Sequence, residues 1–192
     1  MRSLVRCFDA WLSRRYGVFE FTQAPDCLLR LQVATARQPL SLPDCRVKAG
    51  EPVLLLHLWN ERLPALAAST ADLVWAKNLQ HRFLSSLREA ARYMGDHPEL
   101  TDVRAVGGVT VLLGADEREG GARLVERLGF CVLPYRSPLG RFGEFWENFY
   151  TWVLMWAYNP ASLHHRNLWR LRRKEFWISA RDFERRFCTV AG

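Results

Sequence analysis

Hydrophobic and polar positions follow a readable order along this chain. Leu4, Phe8, Trp11 and Leu12 recur at helical spacing with Arg2, Arg6, Arg14 and Arg15 around them, which predicts a short amphipathic helix. "GVFEFT" reads as a short strand. In "DCLLRLQVAT", Leu29, Leu31 and Val33 alternate with Arg30 and Gln32, the pattern of a strand with one buried face. "RQPLSLPD" reads as a loop because two prolines break a ladder, and "KAGEP" reads as a turn. "VLLLHLWN" is apolar on both faces, so it predicts a strand inside its sheet.

Residues 69–94 predict the longest helix, with Ser69 or Thr70 as cap, Asp72 in the first turn, and Ala76, Leu79, Phe83, Leu87, Ala90 and Met94 as its stripe. "VRAVGGVTVLLG" predicts a second buried strand, whose glycines mark a bulge or a close backbone approach. "EREGGARLVERLGF" predicts a helix closing near Gly129, and "CVLPY" the strand after it. The last third is a Trp-rich helical stretch, then an Arg-dense one ending in a short helix capped by Ser179 with Asp182 in its first turn. The alternation predicts an α/β fold, or α+β, as a single domain with a mixed β-sheet covered by helices. Residues 1–24 would supply the amphipathic helix and a short strand, and residues 25–192 the α/β domain with its Trp- and Arg-rich C-terminal helices.

Composition narrows this picture. The 192 residues suit one domain, and 49% hydrophobic with 24% charged residues is ordinary for a globular chain. No window reaches the ~18 unbroken apolar residues of a membrane span. The N-terminus lacks the continuous apolar core and small-residue cleavage site of a secretion signal, so a cytoplasmic location is expected. Five scattered cysteines (Cys7, Cys27, Cys45, Cys131, Cys188) offer no metal-ligand spacing; they read as free thiols, with no metal and no cofactor implied. Of the net charge of +7, residues 1–17 carry +3 and residues 136–192 carry +5, leaving −1 between them. Basic ends of this kind seek phosphate on lipid, glycan precursor or nucleic acid.

"AGEPVLLLHLWNERLP", a helix carrying "LREAARYM", then "VRAVGGVTVLL", "ERLGFCVLPY" and a terminal "EFWISARDFERRF" together resemble the YkoP-like domain. The resemblance runs from about residue 25 onward. It implies a bacterial protein associated with polysaccharide-deacetylase-like proteins and so with cell-envelope polysaccharide or lipid chemistry; it implies no reaction. "GGARLVERLGFCVLPY" is also similar to the helix and strand that close a GNAT acetyltransferase, which would make the chain an acyltransferase-like enzyme. The basic, Gly-rich loop that cradles pyrophosphate at a helix start in such enzymes has no counterpart here.

Two regions carry candidate chemistry. His57 shares a strand face with Val53, Leu55 and Trp59, and Asn60, Glu61 and Arg62 follow where the strand leaves the sheet. Ligands of open α/β sheets gather at such carboxyl ends. His57 and Glu61 are therefore the candidate catalytic groups, and His57, Asn60, Glu61, Arg62 and Thr110 the candidate ligand contacts. A core histidine satisfied by a neighbour fits the same pattern. The second region is the C-terminal aromatic helix with Trp152 and Trp156, followed by Arg166, Arg170, Arg172 and Arg173. Apolar helix beside basic cluster suits an anionic membrane surface, or a phosphate-bearing lipid or glycan precursor held at the inner membrane face. The same helix would equally serve as the covering layer of the sheet. Single-stranded nucleic acid, stacked on Trp169 and Trp177 among arginines, is the least supported partner, since no nucleic-acid-binding motif is present; His164 and His165 read as a solvated pair.

Overall fold

The computed structural model describes residues 2–63, 72–111, 121–158 and 173–188. Helix α1 (Arg2–Arg15) precedes β1 (Leu29–Thr35), the two-residue strands β2 (Leu40–Ser41) and β3 (Arg46–Val47), and β4 (Pro52–Leu58). Helix α2 (Asp72–Asp96), β5 (Ala105–Thr110), α3 (Gly121–Arg127) and β6 (Cys131–Pro134) follow. Helix α4 (Gly140–Tyr158), β7 (Lys174–Ser179) and α5 (Ala180–Phe187) complete the fold. Five strands form one mixed sheet in the order β1-β4-β5-β7-β6. Among the described residues, β4 and β5 pair in parallel and the other neighbours are antiparallel. The α/β fold with a mixed, helix-covered sheet is thus the architecture of this chain.

Strand pleat divides the sheet into two different faces. Leu29 and Leu31 of β1, Leu54 and Leu56 of β4, Val106 of β5, and Phe176 and Ile178 of β7 point to one side. There they form the main core with Leu87, Ala90 and Met94 of α2 and Phe183 and Phe187 of α5. The other face is apolar at one end only. Val53, Ala105 and Trp177 pack there with Leu40, Leu42 and Val47 around the β2–β3 hairpin. Its other end carries Arg30, Gln32 and His57, and α1 and α4 lie over them.

Three local readings change. "GVFEFT" contributes a single bridge, Phe19 to Leu31, and no strand, because Phe19 and Phe21 are drawn instead onto Tyr93 of α2. "RQPLSLPD" holds β2, since Leu40 finds both a β3 partner and a buried seat despite the prolines. Within the Arg-dense stretch, "KEFWIS" is not helical but forms β7, paired with β5 on one side and β6 on the other, with Phe176, Trp177 and Ile178 buried. Ser179 then caps α5 by accepting a hydrogen bond from the Asp182 amide, and Gly129, with φ +95°, closes α3 in the left-handed region. The cap expected at Ser69 or Thr70 lies outside the described residues.

The paired glycines of β5 allow β7 to sit where it does. A Cβ on Gly107 would collide with the Trp177 indole and the Phe176 carbonyl, and one on Gly108 would lie 2.7 Å from the Leu56 carbonyl. Close approach, rather than a bulge, is the reason for both. Gly107→Ala should therefore cost on the order of 3 kcal/mol in urea unfolding. Gly95→Ala, at a helical site with nothing within 4 Å, should be neutral or stabilise by up to ~1 kcal/mol.

Candidate functional site

The polar end of the open sheet face is built from β1 and β4. The register sets Arg30 opposite His57, and the pleat places Gln32 on the same side. Gln32 Oε1 accepts a hydrogen bond from His57 Nε2 at 2.8 Å, so the ring proton sits on Nε2. Burial, and then the neighbouring Arg30 charge, lowers the His57 pKa from its ordinary 6.5 to about 4. The ring is neutral at physiological pH. Its direct partner is an amide, not a nucleophile, so the contact orients the ring without supplying a catalytic pair.

The chain leaves β4 through Trp59, which is buried, and the short turn Asn60–Arg62. Trp59 Nε1 donates to Glu61 Oε2 at 3.2 Å. Arg62 lies flat on the indole, its guanidinium carbon 3.5 Å from the ring centre, and donates to the Ala24 carbonyl at 2.6 Å. Glu61 and Arg62 thus hold the strand exit in shape. Glu61 also accepts from Tyr158 of α4 at 3.4 Å. Thr110 does not join this group: Leu55 pairs with Gly107, so Thr110 points to the opposite sheet face from His57. The expected meeting of the two is ruled out by strand parity.

Helix α4 has its polar side turned inward. Tyr150 donates to Asp9 of α1 at 2.7 Å, and Tyr135 and Ser137 donate to Glu147 at 3.0 and 2.9 Å. Burial and the Asp9 hydrogen bond raise the Tyr150 pKa; burial, then Asp9 and Glu61, push Tyr158 up to about 12. Arg173, expected among the phosphate contacts, is a structural residue. Its side chain is 16% exposed and donates to the Glu147 carbonyl, Thr151 Oγ1 and Asn148 Oδ1, beside the Glu147 carboxylate at 3.5 Å. A guanidinium with those partners has no fork left to offer. Arg166, Arg170, Arg172, Trp169, His164 and His165 lie outside the described residues.

The outward side of α4 is apolar. Phe142 is 67% exposed, Trp146 51%, Phe149 39% and Phe145 36%, with Leu139 at 71% just before the helix. Trp152 and Trp156 are half-buried. Helix α1 continues the surface with Leu4, Phe8 and Trp11, and Phe8 meets Tyr150 edge-on at 6.2 Å. Trp177, by contrast, is only 6% exposed and donates to Glu175, which removes it as a stacking platform for bases. Among the described residues, no helix is long and apolar enough to cross a membrane, and no three His, Cys, Asp or Glu side chains gather as a metal site.

Arg30, Gln32, Asp9, Tyr150 and Tyr158 were not candidates in the sequence. Alternation in β1 reads Arg30 and Gln32 as solvent-facing, and no local pattern announces that α1 and α4 cover them. The only sequence signal was His57 itself, directly opposite in the neighbouring strand.

Two measurements probe this arrangement. Between pH 6.5 and about 4 the unfolded chain protonates His57 and the folded one does not. Stability is therefore fully present above the window and falls through it on acidification, by about 3 kcal/mol from this group. His57→Gln should flatten that slope in denaturant titrations at stepped pH. Arg173→Met should cost about 3 kcal/mol in the same assay, because it strands the Glu147 carboxylate under α4.

Comparison with known proteins gives one match. The family model described as the YkoP domain matches residues 28–187. No curated protein and no solved structure matches the chain. The match spans the five-stranded sheet with its His57 strand and helices α2 to α5, and begins after α1. This chain belongs to the YkoP domain family.

Proposed function

We propose that this YkoP-domain protein is an accessory, ligand-binding component of bacterial cell-envelope precursor metabolism that works while docked on an anionic membrane surface. The observation that supports the reading is the reversed amphipathicity of α4. A surface helix ordinarily buries its apolar stripe and shows its polar one. Here Glu147, Asn148, Tyr150, Thr151 and Tyr158 face the protein, whereas Phe142, Trp146 and Phe149 face outward. Together with Leu4, Phe8 and Trp11 they form an aromatic surface of the kind that seats at the level of lipid headgroups. Exposed Arg14 and Arg15 at the end of α1, and Arg141 at the start of α4, supply the complementary charge. The link to envelope precursors rests on the family resemblance; the membrane seat rests on this surface.

Flotation with vesicles tests the seat. Phosphatidylcholine vesicles containing about one third phosphatidylglycerol should carry the protein at low salt, and more weakly near 0.15 M salt, where screening is stronger. Pure phosphatidylcholine should carry much less. The exposed pair Phe142→Ser and Trp146→Ser should lower binding about tenfold or more while leaving the unfolding midpoint within a few degrees. Wild-type protein left at the bottom of the gradient with anionic vesicles at low salt overturns the reading. A concentration-dependent dimer abolished by the same pair would reassign the surface to a second copy of this chain.

A further inference from the structure

Arg30 is the exception among the internal arginines. Its Nε is buried and has no hydrogen-bond partner. Its NH1 group reaches Ser13 Oγ of α1 only at 3.5 Å, and its guanidinium carbon stands 5.2 Å from the Trp59 ring centre. It forms no ion pair among the described residues. The nearby carboxylates are engaged elsewhere: Asp9 accepts from Tyr150, and Glu61 from Trp59 and Tyr158. The residue facing it across the strand pair, His57, has its Nε2 proton committed to Gln32.

Other arginines show how this fold treats a guanidinium held for structure. Arg173 reaches a carboxylate, an amide oxygen, a hydroxyl and a carbonyl. Arg62 has an indole face and a carbonyl, and Arg82 a carboxylate and two carbonyls. A charge removed from water without an anion is costly, and a buried polar atom without a partner calls for one. Arg30 has the fork, the charge and the unfilled donor for an incoming oxyanion, next to a hydroxyl on α1 that can also donate.

We propose that Arg30 anchors an anion site beneath α1, at the polar end of the sheet, and that its ligand is a phosphate-class anion carried on a lipid headgroup or a soluble phosphoester. Ser13 and the Trp59 ring border the guanidinium, and the paired Gln32 and His57 form the neutral floor. The site depends on the β1–β4 geometry, not on whether α1 and α4 seat on a bilayer, so it stands or falls separately from the membrane reading.

Thermal unfolding and histidine NMR test it, with chloride added to keep ionic strength constant. Inorganic phosphate should raise the wild-type midpoint by several degrees in a saturable manner, as expected of a ligand bound only by the folded state. The His57 ring signals should shift, and the His57 pKa should climb from about 4 as the Arg30 charge is matched. Sites on the exposed surface would leave His57 unmoved. Arg30→Met should fold with an unfolding midpoint no lower than wild type and lose phosphate affinity at least tenfold. Arg88→Met, removing one exposed charge on α2, should keep the phosphate response. Should Arg30→Met fail to fold, Arg30→Lys retains the charge without the fork and should show a weakened response. Glycerol phosphate that reproduces the effect assigns a soluble phosphoester. An effect confined to phosphatidylcholine vesicles with about one fifth phosphatidic acid, and lost in the Arg30 variant, assigns a lipid headgroup. Wild-type protein whose midpoint and His57 signals respond to none of the three probes overturns the proposal.

Discussion

The seat of the Trp177 indole against Gly107 is the contact on which the rest of this architecture depends. A side chain on Gly107 would collide with that indole, so the empty position on β5 is the condition for β7 to pair there. With β7 in place, β6 acquires its sheet partner and α5 is delivered onto the main core. Arg173, the residue just before β7, is thereby held under α4 with its hydrogen bonds to Glu147, Asn148 and Thr151. A packing constraint between two strands thus bears on a helix that covers the same sheet face.

The covering of the second sheet face follows from its composition. At one end Val53, Ala105 and Trp177 are satisfied by the small β2–β3 hairpin. At the other end the sheet itself offers Arg30, Gln32 and His57, so the layer above must answer with polar groups. Helices α1 and α4 turn polar groups inward: Ser13 accepts from Arg30, Asp9 accepts from Tyr150, and Tyr158 donates to Glu61. Their inward sides being polar, their aromatic residues are left on the outside. The exposed surface of Phe142, Trp146, Phe8 and Trp11 is in this sense the consequence of a polar sheet face beneath it. An outward apolar stripe needs a medium that lowers its contact with water, which is the physical basis of the membrane reading.

Internal charge is handled in two ways in the same layer. Arg173 has an ion pair and three hydrogen-bond acceptors, whereas the buried Nε of Arg30 has no partner. The difference falls where α1 meets the sheet, directly opposite a histidine kept neutral by its surroundings. A bound anion, as proposed for Arg30, would complete the bonding there.

The order of the helices, the parity of β1, the two-faced burial of β4 and the Ser179 cap were all legible in the chain, because each depends on residues within one element. So was the presence of an aromatic helix near the C-terminus. Strand β7 was not, since its arginine-rich surroundings mask the short apolar run of Phe176, Trp177 and Ile178, whose β5 and β6 partners lie far off in the chain. The roles of individual site residues were decided only by tertiary structure. Strand parity separates Thr110 from His57, pairing makes Arg173 structural, and the covering helices turn Arg30 and Gln32 from solvent-facing residues into internal ones. Periodicity records which side of an element a residue occupies; what lies against that side is set by contacts between distant segments, and those leave no local pattern.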